Sequence, residues 1–369
     1  MISKACVVGM YQLKLEELAR LPAMDLAVVV PPYWRDGRNV LPLERAHTSG
    51  YELRMVPMVL NGSFHLHFYR GLGRLMSEFK PEVVHIDEEP YNLVTWQAMH
   101  LARRNHALAL FFTWQNLHRR YPFPFSTVER YNLDHAHYAI AGSCDAEVVL
   151  RAKRYAGPIK VLPQFGVDPG LFSPRDGRRS ASGEFTIGYM GRLVEEKGVQ
   201  ILLQAVAGLT GNWKLRVIGS GPYAETLQSL SVELHVDKQV DFSDHVPSKL
   251  VPSELRGLDV LVLPSLTRRN WKEQFGRVLI EAMASEVAVV GSSSGEIPNL
   301  VGNAGLVFAE GDAAALREAL RALMENPLLR LRLGREGRER VLGCYTQAHV
   351  AAETYSVYQQ MLSRAQPCG

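Results

Sequence analysis

One pattern recurs along the chain: a short Val-rich run, then a stretch of helical periodicity, then another Val-rich run. Short continuous apolar runs suit strands buried on both faces, and strands separated by helices pair in parallel through crossovers. In the first half such runs lie at residues 5–9, 26–30, 82–87, 107–113, 138–141 and 159–162, with a further extended candidate at 51–60. Residues 68–79 carry Leu72, Leu75, Met76 and Phe79 on one helical face before Pro81, and 91–104 read as a helix. Ser143 is placed to cap a helix running to Arg154. Residues 173–183 are then polar, small and rich in helix and strand breakers, which predicts a linker. The alternation restarts beyond it. Strands are expected at 185–190, 214–218, 240–242, 259–263, 287–290 and 306–308. Helices are expected at 198–208, 223–234, 313–324, 327–341 and 345–362, with a short one from Ser253. At 369 residues the chain exceeds one ordinary core. The fold class expected is α/β, with doubly wound domains over 1–172 and 184–344 and a cleft between them.

Composition removes several function classes. A net charge of +3 is too small to argue for a nucleic-acid partner. Four cysteines, far apart and without a C-x-x-C pair, argue against zinc and against a disulfide framework. No apolar run reaches bilayer length, and the opening MISKACVVGMY lacks a signal-peptide pattern. A cytoplasmic protein is expected, with peripheral contact at the inner face of a membrane left open.

The chemistry concentrates in residues 261–284, LVLPSLTRRNWKEQFGRVLIEAMA. Glu273 lies in a loop and Glu281 inside the following helix, with Phe275 and Gly276 at the point where loop becomes helix. A helix N-terminus offers free N–H groups to a phosphate, and a carboxylate can grip paired sugar hydroxyls. Two surface acids near a helix start is the plainer alternative. After the 185–190 strand come Gly191-Arg192-Leu193 and then Lys197-Gly198. Arg192 and Lys197 could hold a diphosphate beyond the carboxyl end of that strand, or be solvated loop charges. Val217-Ile218-Gly219-Ser220-Gly221-Pro222 carries a G-x-G after a strand, which fits close approach to a ligand or a structural turn. In the first half, Glu88 and Glu89 follow the 82–87 strand. They could bind acceptor hydroxyls or act as a base, or serve as helix-start acids. Residues 118–125 mix cations with aromatics, as a lipid-facing or simply packed loop would.

These residues together resemble the retaining nucleotide-sugar glycosyltransferases of family 4 (glycosyltransferase group 1). The resemblance rests on Gly188-Tyr189-Met190-Gly191-Arg192-Leu193 with Lys197-Gly198, and on Val217–Pro222 as quoted. It rests further on the run from Glu273 through Phe275, Gly276 and Arg277 to Glu281 and Ala284, and on Gly295-Glu296-Ile297-Pro298. It is strong over about 165–365 and weaker before. The resemblance implies the GT-B fold, with the last helix, about 345–365, crossing back onto the first domain. It implies that Arg192 and Lys197 bind the donor diphosphate, that Glu281 holds the ribose, and that Glu273 contacts the donor sugar. Phe275, Gly276, Arg277, Gly191 and Gly219 join them on the donor side, and His245 and Val246 fall in the base-binding loop. Such enzymes use a nucleoside-diphosphate sugar as donor and no metal or other cofactor.

The sequence departs from the family in the first half. The histidine that many members carry after the strand at 107–113 is absent from its usual place. His118 comes a few residues late, so Thr113, Gln115 and Asn116 are the other candidates, and the glycine-rich first loop is reduced to Gly9 and its neighbours. The activity expected is transfer of a hexose to a hydroxyl of a saccharide or glycolipid. A sugar-nucleotide epimerase and a non-catalytic nucleotide-sugar binder are the alternatives.

Overall fold

The computed structural model describes residues 1–37, 39–175, 183–244 and 246–365. It divides into two compact units, Met1–Gly166 with Gln347–Gly369, and Val167–Thr346. The expected linker falls largely on 176–182, outside the described residues.

The second unit is built on a six-stranded parallel sheet. Its strand order is Val240–Ser243, Trp213–Ile218, Phe185–Met190, Val260–Leu263, Ala288–Ser292 and Leu306–Phe308. The chain steps outward from Phe185–Met190 in one direction, then returns to build the other side. The switch point therefore lies between Phe185–Met190 and Val260–Leu263, and ligands of open α/β sheets bind beyond such a point. Ile187, Leu215, Val217, Leu261 and Val289 are fully buried, as strands covered on both faces require. The unit begins at Val167 rather than after residue 172. Val167 donates its N–H to the Tyr345 carbonyl at 2.8 Å, and Phe172 is part of the apolar core.

Gly198 is one of the positions in this unit that only glycine fits. Gly198 has φ +72° at the start of the Val199–Ala207 helix, and a Cβ there would strike the Pro264 carbonyl oxygen. Gly198→Ala is expected to destabilise the unit by about 2–3 kcal/mol, because strain and collision add. Denaturant titration checks this, and an unchanged midpoint would refute it.

In the first unit, Val83–Ile86, Leu108–Thr113, Tyr138–Ala141 and Ile159–Val161 form a parallel four-stranded sheet. Ala27–Val30 pairs separately with Glu52–Met55. Ile2 joins the two sheets, bridging Val29 on one side and Ile86 on the other. The strand expected at 5–9 is not there. That segment forms two 3-10 turns, Ala5–Val7 and Gly9–Tyr11, and the strand line runs through Ile2 instead. Ser143 caps Cys144–Ala152 as expected, accepting from the Ala146 N–H. Residues 68–79 split, because Phe68–Tyr69 pairs with Met58–Val59 and the helix starts at Leu72 after a left-handed Gly71. The helices Leu13–Ala19 and Phe125–His135 and the hairpin Tyr33–Asp36 with Asn39–Pro42 were not expected. The last helix, Gln347–Ala365, belongs to this unit. Its Val350, Val357 and Met361 pack with Leu15, Leu18 and Val28, and Tyr358 hydrogen-bonds His85 Nδ1 at 2.7 Å. Among the described residues, no helix is long and apolar enough to cross a membrane.

Candidate active site

In the second unit two loops meet beyond the carboxyl ends of Phe185–Met190 and Trp213–Ile218. Their backbones touch. Gly191 donates its N–H to the Ile218 carbonyl at 3.0 Å, and Leu193 to the Ser220 carbonyl at 2.9 Å. A Cβ on Gly219 (φ +150°) would strike the Gly191 carbonyl. The G-x-G therefore has a structural reason, and it also lines a pocket. That pocket encloses about 340 Å³ and brings together Gly191, Arg192, Gly219, Val246, Arg277 and Glu281. His245 lies outside the described residues.

Arg192 is exposed, and its side chain forms no hydrogen bond or ion pair among the described residues. Its loop is held by the Tyr189 hydroxyl, which donates to the Arg192 carbonyl at 2.8 Å. Glu281 sits on the Arg277–Ala284 helix and accepts from Arg277 Nε at 2.8 Å, a pair one helical turn apart. Burial pushes the Glu281 carboxyl up, while the Arg277 charge and hydrogen bond act against that rise. The helix begins at Gly276, whose φ of +88° turns the chain out of the preceding loop. Phe275, half-buried, meets the edge of Tyr345 at 6.1 Å between ring centroids.

Glu273 and Lys197 form a second cluster. Glu273 is buried, and its Oε2 accepts from Lys197 Nζ at 2.6 Å and from Ser265 Oγ at 2.8 Å. Lys197 Nζ also lies 5.1 Å from the centre of the Trp271 ring. Gly295 (φ +55°) fits only as glycine, since a Cβ would strike the Glu273 carbonyl. The structure places Lys197 on Glu273. Ser265, which ends the run Asp259–Ser265 that matches the family, has no role legible from its position after a strand alone.

Of the acceptor candidates in the first unit, Glu89, Thr113 and Gln115 are linked by hydrogen bonds. Glu88 is buried against Lys4, with His67 Nε2 3.7 Å away. Its burial would raise the carboxyl, but Lys4 and His67 outweigh that and hold it at about 2. Glu89 accepts from Thr113 Oγ1 at 2.6 Å and from the Trp114 N–H at 2.8 Å. Burial nevertheless pushes its carboxyl up to about 7. Gln115 accepts from the buried Lys153 Nζ at 2.8 Å, and Lys153 also pairs with Glu129. Asn116 is buried, while His118 is exposed. Gly9, on the acceptor side of the resemblance, gives its N–H to Glu44 Oε2 at 2.6 Å. Lys4, His67 and Lys153 were not legible from spacing, since their partners lie far away in sequence.

Residues 175–340 match the family model for glycosyl transferases group 1. The second unit is a group 1 glycosyl transferase domain. Similar proteins include the D-inositol 3-phosphate glycosyltransferase of Corynebacterium efficiens, 31% identical over 215 residues. That alignment covers 53% of this chain and 49% of the relative. A GDP-mannose-dependent alpha-(1-6)-phosphatidylinositol monomannoside mannosyltransferase of Mycolicibacterium smegmatis is 32% identical, over 53% of this chain and 57% of its own. The chain thus spans about half the length of the curated relatives it matches. Among solved structures, Anabaena HepE in complex with UDP superposes with a TM-score of 0.69 at 16% identity, covering 97% of this chain and 98% of that one. Sucrose-phosphate synthase from Thermosynechococcus elongatus gives 0.68 at 20% identity, covering 96% and 93%. At these identities the likeness establishes the fold, which is GT-B.

Proposed function

We propose that the protein is a retaining, metal-independent glycosyltransferase that moves a hexose from a nucleoside diphosphate to a hydroxyl of a saccharide or glycolipid acceptor. The observation that supports this best is the pocket that gathers Arg192, Arg277 and Glu281 beyond the strand ends. Glu281 accepts from the ribose hydroxyls, and Arg192 and Arg277 face the diphosphate. The N–H groups of Phe275 and Gly276 add donors at the helix start. Glu273, fixed by Lys197 and Ser265, accepts from hydroxyls of the donor sugar. As the bond between the anomeric carbon and the phosphate oxygen breaks, charge grows on the diphosphate, where Arg192 meets it. The acceptor oxygen bonds the same face of the anomeric carbon, and its proton passes to the leaving phosphate oxygen. The cations and the helix terminus supply the charge that a metal would otherwise supply. On this reading the enzyme works in the cytoplasm, and the acceptor is handled by the first unit.

Melting curves with UDP, GDP, dTDP and ADP sugars test the donor half. A bound donor raises the melting temperature by mass action, by about 2.7 kcal/mol of stability at a hundredfold excess over Kd. One nucleotide class is expected to stand out, followed by hexose transfer to a hydroxyl acceptor. No shift with any nucleotide would sink the reading, and isomerised free donor without transfer would replace it with epimerisation.

A further inference from the structure

Two stretches of the first unit, residues 53–77 and 90–128, contain no Asp or Glu. The fold brings them together. The Leu93 N–H donates to the His65 carbonyl at 2.9 Å. The Tyr69 N–H donates to Gln97 Oε1 at 2.9 Å, and Gln97 Nε2 donates back to the Tyr69 carbonyl at 2.7 Å. The His65 ring also meets Phe125 at 5.4 Å and Tyr121 at 6.2 Å between centroids, so the loop before the helix Phe125–His135 rests on the same place.

What this packing leaves outside is apolar and cationic. Phe123, between two prolines, is 81% exposed, and Phe64 and Leu66, on either side of His65, are 53% and 40% exposed. From there the helix carries Tyr131 roughly 12 Å further along, at about 1.5 Å per residue. Tyr131 meets Trp96 at 6.3 Å, and the exposed Trp96 stacks on His100 at 5.6 Å. The Tyr131 hydroxyl accepts from Arg103 at 3.2 Å. Arg70, Arg103, Arg104, Arg119 and Arg120 are all exposed. The acids that bound the two stretches in sequence are occupied: Glu52 pairs with Arg54, Glu78 with Arg74 and Glu129 with Lys153, and Glu89 bonds Thr113. Asp134, further along the helix, lies 3.9 Å from Arg130.

The geometry points to a bilayer-docking face: the helices Leu93–Arg104 and Phe125–His135, with the loops at Phe64 and Phe123, settle on a membrane that carries anionic lipid. Phe123 has no polar atom in its side chain, so it enters the acyl boundary. Trp96 and Tyr131 join an apolar ring to a polar handle, which suits the headgroup level. The arginines meet lipid phosphates, an attraction that weakens as salt rises. A soluble polyanion would engage the arginines and leave Phe123 in water.

The test is sedimentation of the whole chain with phosphatidylcholine vesicles, and with vesicles in which about a third of the lipid is phosphatidylglycerol, in about 0.1 M NaCl. Binding to the anionic vesicles is expected to be at least about tenfold tighter than to the neutral ones. Phe123→Ser, and Arg104→Glu combined with Arg120→Glu, should each weaken that binding by at least about tenfold, with the melting temperature unchanged. Leu328→Ser, at a 77% exposed leucine of the second unit, should leave it as it was. No preference for the anionic vesicles, an equal loss from Leu328→Ser, or binding to soluble heparin as tight as to vesicles would overturn the docking face. The measurement involves no nucleotide, so its failure would leave the transferase reading untouched.

Discussion

Replacing Arg192 with alanine is expected to slow hexose transfer by roughly 100- to 1000-fold, the usual loss when one preorganised donor to a developing anion is removed. Folding stability should not move. The side chain is exposed and forms no ion pair among the described residues, so nothing in the folded protein loses a partner. On the proposed function the loss should fall mainly on kcat, because a leaving diphosphate carries more charge in the transition state than in the bound donor. Lys197→Ala provides the contrast. Lys197 holds the buried Glu273 at 2.6 Å, so its removal should cost stability as well as rate. Steady-state kinetics and melting curves on the two variants separate these roles. An Arg192 variant with full kcat would remove this residue from the site, and one that lost stability in step with rate would make its role structural.

Much of this was legible in the sequence, for identifiable reasons. In the second unit strand, loop and helix follow the same local periodicities that the chain displays, and Phe185–Met190 and Leu306–Phe308 fall where those periodicities put them. Most pocket residues were readable because they sit just after a strand or at a helix start, and Glu281 lies one turn further along that helix. The first unit was less transparent because its decisive contacts are long-range. Lys4 and Glu88 are 84 positions apart, as are Ser3 and Asp87, and no spacing rule connects them. The Val-rich segment 5–9 has a strand's composition, but the ladder is occupied at Ile2, so the next residues coil into 3-10 turns. Lys153 illustrates the same limit. A lysine in a helix reads as solvated, yet this one is buried between Gln115 and Glu129.

Glu89 should make the first unit less stable as the pH rises. Its carboxyl is pushed up to about 7 in the folded unit, above the ordinary glutamate value of about 4.5. Burial is the main cause, and the hydrogen bonds from Thr113 and Trp114, with the Lys4 charge, only partly offset it; Glu88 adds to the rise. Between pH 4.5 and 7 the folded unit therefore keeps a proton that the unfolded chain has released. The contribution of Glu89 is greatest below pH 4.5 and falls as the pH climbs through 7, by about 3 kcal/mol for a shift of this size. Glu88 does not blur this window. Its carboxyl is held at about 2, so its stabilising contribution is complete above pH 4.5 and is lost only in stronger acid. Glu89→Gln copies the protonated form, with one oxygen left to accept and a donor in place of the O–H. The variant should melt close to the parent at pH 4.5 and above it at pH 8.5, the gap widening through neutrality. Parallel melting curves for the two proteins across that range would show that Glu89 is ionised throughout. A carboxyl that keeps its proton near neutral pH can also donate to a sugar oxygen, which an ordinary surface glutamate cannot. If the gap is found, the same variant measured in transfer assays would separate the two uses of that proton. A loss of rate confined to pH values below 7 would mark it as a donor to substrate, and a rate unchanged at every pH would leave it to stability alone.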